Sequence, residues 1–135
     1  MGKVGIFDAA QQKWHTFDDD TEVLIEFLPK DVIVGIQRKG AKQAKLSGGD
    51  VDVITNRLIG EAAVKGWRHK TNHSHPGFIT PKKVPVPFTP DNRDLFMKSW
   101  REFSNFVNEV AIDSKEYLDA DEPSVGEEIA AAKND

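Results

Sequence analysis

The sequence predicts an α+β fold. A small N-terminal antiparallel β unit of two or three strands packs on a mainly α-helical body of three or four helices, followed by a disordered acidic C-terminal tail. Three observations lead there. TEVLIEFL (Thr21–Leu28) alternates like a strand. Apolar residues then recur at helical spacing in separate stretches bounded by capping residues. After Pro123 the chain is acidic and alanine-rich, with too few large apolar residues for a core. Residues 1–120 form one domain on this reading, with a β unit at 1–28 and a helical part at 29–120. Residues 121–135 form a flexible tail.

The β unit reads as follows. VGIF (Val4–Phe7) is a short apolar run, DAAQQK (Asp8–Lys13) is polar and turn-like, and WHTF (Trp14–Phe17) follows. The acidic turn Asp18–Asp20 leads into Thr21–Leu28. There Val23, Ile25 and Phe27 point one way, and Glu22, Leu24 and Glu26 the other. So small a sheet needs a partner on its apolar face.

PKDVIVGIQRKGAKQAK (Pro29–Lys45) predicts a first helix. Pro29 suits a first turn and Asp31 suits the positive end of the dipole. Ile33, Ile36 and Gly40 share a face, and basic residues gather toward the C-terminal end. The β-prone VIV and Gly35, which costs about 1 kcal/mol against alanine, work against this helix. LSGG (Leu46–Gly49) is a linker. A second helix starts at Asp50 as N-cap, with Val51, Ile54, Leu58 and Ala62 in a stripe widened by Ile59 and Ala63. Gly66 is expected as the left-handed residue ending it, with Trp67 packing back on the last turn.

Residues 68–88 read as a long connection, because Pro76, Pro81, Pro85 and Pro87 forbid a helix through it. In FTPDNRDLF (Phe88–Phe96), Thr89 is an N-cap, Pro90 the first helical residue, and Asp91 complements the dipole. Ser99-Trp100-Arg101-Glu102 spells a capping box, so a break is expected near Lys98. The last helix then aligns Phe103, Phe106, Val107, Val110 and Ser114, with Tyr117 following.

With 135 residues the chain suits one domain with a modest core. It has no cysteine, which excludes disulfides, thiolate zinc sites and a cysteine nucleophile and fits a reducing compartment. No signal-peptide h-region follows Lys3, and no apolar run nears the roughly 20 residues that span a bilayer, so a soluble cytoplasmic protein is expected. The net charge of −4 is unevenly spread. Residues 1–36 carry three bases and seven acids (−4), residues 37–83 ten bases and three acids (+7), and residues 84–135 five bases and twelve acids (−7). A basic middle could meet nucleic acid, an acidic partner or the acidic ends of a second copy.

Candidate chemistry concentrates in KGWRHKTNHSHPGF (Lys65–Phe78). His69, His73 and His75 could meet one metal ion, but Asn72, Ser74, Pro76 and Gly77 mark a loop, and solvated loop histidines are the expectation. Arg68, Lys70, Lys82 and Lys83 with Trp67 and Phe78 mix bases and aromatics as single-strand binders do. The acidic chain and the lack of a helix-turn-helix, zinc-finger or RNP pattern argue against nucleic acid. No serine lies in GxSxG, and GxGxxG and GxxxxGK[ST] are missing, so no enzyme is expected. Asp113 and Glu116 are read as solvating charges. Three tryptophans and eight phenylalanines are many for a small core; two readings stand side by side, that some lie in an interface and that all are core.

The order of the pieces carries a resemblance. EVLIEFLP is followed by a basic segment, a helix ending AAVKGWRH, a loop, PFTPDNRDLF, and a last helix with FSNFVNEVA. Over residues 21–118 this resembles the tail assembly chaperones of long-tailed bacteriophages and prophages. The loop after Trp67 departs from that pattern, being long, basic and histidine-bearing.

The resemblance implies a non-enzymatic role without cofactors. It implies binding of the tape measure protein among other tail proteins, self-association into a homo-oligomer, and a place in the bacterial cytoplasm. Head-to-tail pairing of the basic middle with acidic ends would serve self-association, and spare aromatics would cover a partner's apolar helices. The partner-binding candidates are Trp67, Arg68, Lys70, Phe78, Lys82, Lys83, Trp100 and Phe103. The alternative is a nucleic-acid-binding or regulatory prophage protein using the basic 65–83 stretch.

Overall fold

Alternation in the second apolar strand organises the molecule, described over residues 11–113 by a computed structural model. β2 (Thr21–Glu26) is the centre of a sheet of order β1-β2-β3, flanked by β1 (Gln12–Thr16) and β3 (Val64–His69). Both pairings are antiparallel. Val23 and Ile25 are fully buried on the inner face, while Glu22, Leu24 and Glu26 are half-buried on the outer one. The expected α+β fold with its small antiparallel sheet is therefore observed.

The β1–β2 turn is made by Asp18, whose carboxylate accepts hydrogen bonds from the Asp20 and Thr21 amides. This use of a short acid to stabilise a turn explains the acidic run. β1 begins at Gln12, inside the stretch expected to be a polar turn. The expected VGIF strand, Ser114, Glu116, Tyr117 and the 121–135 tail lie outside the described residues.

Four helices follow, α1 (Lys30–Ser47), α2 (Val51–Ala63), α3 (Pro90–Ser99) and α4 (Arg101–Ile112). Pro29 precedes α1 as its cap rather than lying in its first turn. The helix also runs through Leu46 and Ser47, expected as linker, and stops at Gly48 with φ 73°. Only a left-handed residue closes it there, which is why glycine occupies the position. Asp50 caps α2 as expected, accepting from the amides of Asp52 and Val53. Thr89 caps α3 by accepting from Asn92, with Pro90 at its start.

The end of α2 differs from the sequence expectation. Gly66 is not a left-handed helix stop: α2 ends at Ala63 and the chain passes directly into β3. Gly66 pairs with Leu24, and Trp67 pairs with Val23 as a strand residue. A bulge at Lys65 hides this strand. The register shifts between Leu24 and Ile25, so that Val64 pairs with Ile25 and Lys65 is the extra residue. Val64 and Trp67, three apart, thus both face the core, a spacing that mimics a helix.

Two further corrections concern caps and loops. Ser99 is the last residue of α3, not a cap; the break is Trp100, in extended conformation with φ −111° and ψ 95°. The 68–88 connection begins only after His69 and contains a small hairpin, in which Ile79 bridges Pro85 and Val86 donates to the Phe78 carbonyl. Lys83, at φ 65°, closes its tip.

The core joins Val23, Ile25, Val64 and Trp67 of the sheet to Ala63, Met97, Phe103, Val107 and Ala111 of the helices, with Leu28 and Phe78. α1 packs chiefly on α2. The end of β2 is tied to the end of α4 by the Leu28 amide, which donates to the Ala111 carbonyl at 2.8 Å.

Candidate interaction surfaces

Among the described residues, Phe17, Trp67, Phe78, Phe88, Phe96, Trp100, Phe103 and Phe106 form one cluster, with Trp14 apart from it beside Arg68. Trp67 stacks on Phe96 with ring centroids 4.9 Å apart and meets Phe78, Phe88 and Phe103 edge-on. Its indole N–H donates to the Val86 carbonyl at 2.9 Å, which ties β3 to the hairpin. Trp100 is half-buried, edge-on to Phe17, Phe78 and Phe96 and stacked with Phe103. Of the aromatic partner-binding candidates, Trp67, Phe78 and Phe103 are therefore core residues, and Trp100 alone keeps an exposed part. Edge-to-face and stacked contacts of this kind stabilise beyond area burial by about 1 kcal/mol each.

The basic candidates separate. Arg68 lies on the outer sheet face opposite Glu22, to whose Oε1 its Nε donates at 2.5 Å. Its guanidinium carbon sits 3.8 Å from the centre of the Trp14 ring. It is therefore doubly satisfied, by a charge-assisted bond and a cation–π contact. Lys70 is half-buried just beyond β3, and its amide donates to the Asp20 carbonyl. Lys82 and Lys83 are exposed at the hairpin tip.

The histidines organise the loop that carries them. His69 Nδ1 accepts from the Thr71 and Asn72 amides, and His75 Nδ1 accepts from the Gly77 amide at 2.9 Å. His73 Nε2 lies 3.0 Å from the Lys70 carbonyl and 3.8 Å from Glu22. Among the described residues no group of three His, Asp or Glu side chains is placed to hold a metal ion.

A further basic surface, outside the partner-binding candidates, lies on α1. Arg38, Lys42 and Lys45 fall at i, i+4 and i+7 and are exposed, with Lys39 beside them. The opposite face carries Gly40, buried against Thr55 of α2. Arg57, Lys65 and Arg68 are paired with Glu61, Glu26 and Glu22, but among the described residues none of these four α1 cations has a carboxylate within 4.0 Å. Leu46, 78% exposed, flanks the stripe at its C-terminal end. The signal was present as the gathering of bases along one predicted helix. It lacked weight because the pairing of the other bases is a tertiary fact.

Over the described residues the fold is thus a mixed α+β arrangement of a three-stranded antiparallel sheet and four helices. No family model, no curated protein and no solved structure matches the chain. Among the described residues no helix is long and apolar enough to cross a membrane.

Proposed function

We propose that this chain is a non-enzymatic tail assembly chaperone of a long-tailed phage or prophage, which self-associates in the host cytoplasm and binds the tape measure protein. The observation that carries the reading is the order of EVLIEFLP, AAVKGWRH, PFTPDNRDLF and FSNFVNEVA along the chain. The charge distribution supports it: a +7 middle lies beside −4 and −7 ends. The α1 cations Arg38, Lys39, Lys42 and Lys45, without a carboxylate partner among the described residues, and the exposed Leu46 of the same helix offer such a protein charged and apolar groups for a partner. The nucleic-acid alternative draws less support, because Trp67 and Phe78 are buried and Arg68 is held by Glu22, leaving lysines without stacking rings.

Sedimentation velocity of the pure chain over a wide concentration range, at low and high salt, tests self-association. Oligomers that weaken with added salt are expected. Co-expression with the tape measure protein of the same phage tests the partner, and a soluble complex is expected. A monomer throughout, together with a tape measure protein that stays insoluble, would overturn the reading.

A further inference from the structure

The basic face of α1 and the acidic sequence that follows α4 belong to the same chain and start at the same end of it. The 22 residues from 114 to 135 carry seven acids, Glu116, Asp119, Asp121, Glu122, Glu127, Glu128 and Asp135, against Lys115 and Lys133, a net −5. α1 carries Lys30, Arg38, Lys39, Lys42 and Lys45 against Asp31, a net +4. We infer that the acidic segment 114–135 docks along the outer face of α1 of its own chain and masks it from other acidic partners. This inference stands apart from the proposed function and needs no phage partner.

Geometry makes the pairing intramolecular. The Leu28 amide is bonded to the Ala111 carbonyl, so the end of α4 lies beside the start of α1 at Lys30. The described chain ends at Asp113, two residues beyond Ala111. α1 has 18 residues, a length of about 27 Å at about 1.5 Å per residue. An extended chain covers that distance in about 8 residues. Counted from 114, an extended chain has the reach to bring Glu116 and Asp119 level with the stripe from Arg38 to Lys45, with Asp121 and Glu122 at the far end of the helix.

The face itself has relief. An open groove of about 580 Å³ at the N-terminal part of α1 is lined by Lys30, Asp31, Val34, Gly35 and Arg38. A second groove, of about 460 Å³, lies beside that face between α1 and α2, lined by Gln43, Leu46, Ser47, Ile54 and Arg57, whose guanidinium is held by Glu61 and Gln43. The first combines Lys30 and Arg38 with the apolar carbon of Val34, beside Asp31, which suits a segment whose acids are interspersed with Tyr117, Leu118, Val125 and Ile129. A short tether sets a local concentration of about 1 mM, so weak contacts suffice for docking in cis before a second copy competes.

Zero-length carbodiimide cross-linking of an equal mixture of isotope-labelled and unlabelled full chain tests this. Links from Lys39, Lys42 and Lys45 to acids between 116 and 128 are expected within single-isotope chains. They should fall several-fold between about 0.05 M and about 0.5 M salt, as the screening length shortens. Mixed-isotope links would show the segment crossing to a second copy. Links to Lys82, Lys83 and Lys98 as frequent as those to α1 would show no specific docking. Either result overturns the inference.

A second measurement uses a fluorescent poly-glutamate peptide on the full chain and on a D119N/D121N/E122Q/E127Q/E128Q variant. The variant should bind the peptide about tenfold more tightly, because its own competitor has lost its charge. Equal affinity would overturn the inference.

Discussion

Gly40 of α1 lies against Thr55 of α2 so closely that a Cβ at position 40 would overlap the threonine Oγ1. Gly35, one and a half turns earlier on the same helix, has nothing within 4 Å of where a Cβ would stand. The same substitution at these two positions should therefore have opposite signs. Gly35→Ala is expected to stabilise by about 0.5–1 kcal/mol, the intrinsic gain in helix propensity. Gly40→Ala is expected to destabilise by about 1–2 kcal/mol, since overpacking outweighs that gain and pushes α1 off α2. Urea midpoints at constant m-value measure both.

Three side chains at helix starts and breaks separate true caps from apparent ones. Asp50→Ala and Thr89→Ala should each cost about 1 kcal/mol, because each removes the acceptor for the amides of a first turn. Ser99→Ala should change stability by no more than about 0.5 kcal/mol, because Ser99 is exposed at the end of α3 and caps nothing. Thermal unfolding of the three variants side by side would show the contrast. A Ser99 effect as large as that of Thr89 would restore the capping-box reading.

Trp67 joins packing to a hydrogen bond, and the two contributions can be separated. Trp67→Phe leaves an aromatic ring against Phe96 but removes the indole N–H that satisfies the Val86 carbonyl. A loss of about 2 kcal/mol is expected, part from the orphaned acceptor and part from lost volume. Trp67→Ala should cost about 3–5 kcal/mol. Hydrogen exchange in Trp67→Phe should rise first in the Phe78–Val86 hairpin, which the indole anchors.

Lys83 holds a left-handed conformation at φ 65°, closing a turn in which its amide donates to the Thr80 carbonyl at 2.7 Å. The left-handed region costs a residue with a Cβ about 1 kcal/mol. Lys83→Gly should therefore stabilise by up to about 1 kcal/mol, less the extra entropy of glycine in the unfolded chain. Chemical denaturation measures it, and a destabilised variant would mean that the lysine side chain is itself held.

Alternation made β2 legible as far as Glu26, because Val23 and Ile25 bury on one side whatever covers them; beyond the strand, Leu28 rather than the expected Phe27 is fully part of the core. Asp50 and Thr89 were legible as caps, because a cap is chemistry within three or four residues. The basic helix α1 was likewise visible as a run of bases. β3 was not legible: the bulge at Lys65 breaks the period of two, and a glycine followed by tryptophan after a helix imitates a stop signal. Which bases find a carboxylate among the described residues was also beyond local reading, since Arg68 finds Glu22 across 46 residues. The choice between core and interface for Trp67, Phe78 and Phe103 depended on the closure of the sheet over α4, a non-local event. Local chemistry is set by neighbours along the chain. Register, ion pairing and burial are set by neighbours in space, which exist only once the chain has folded.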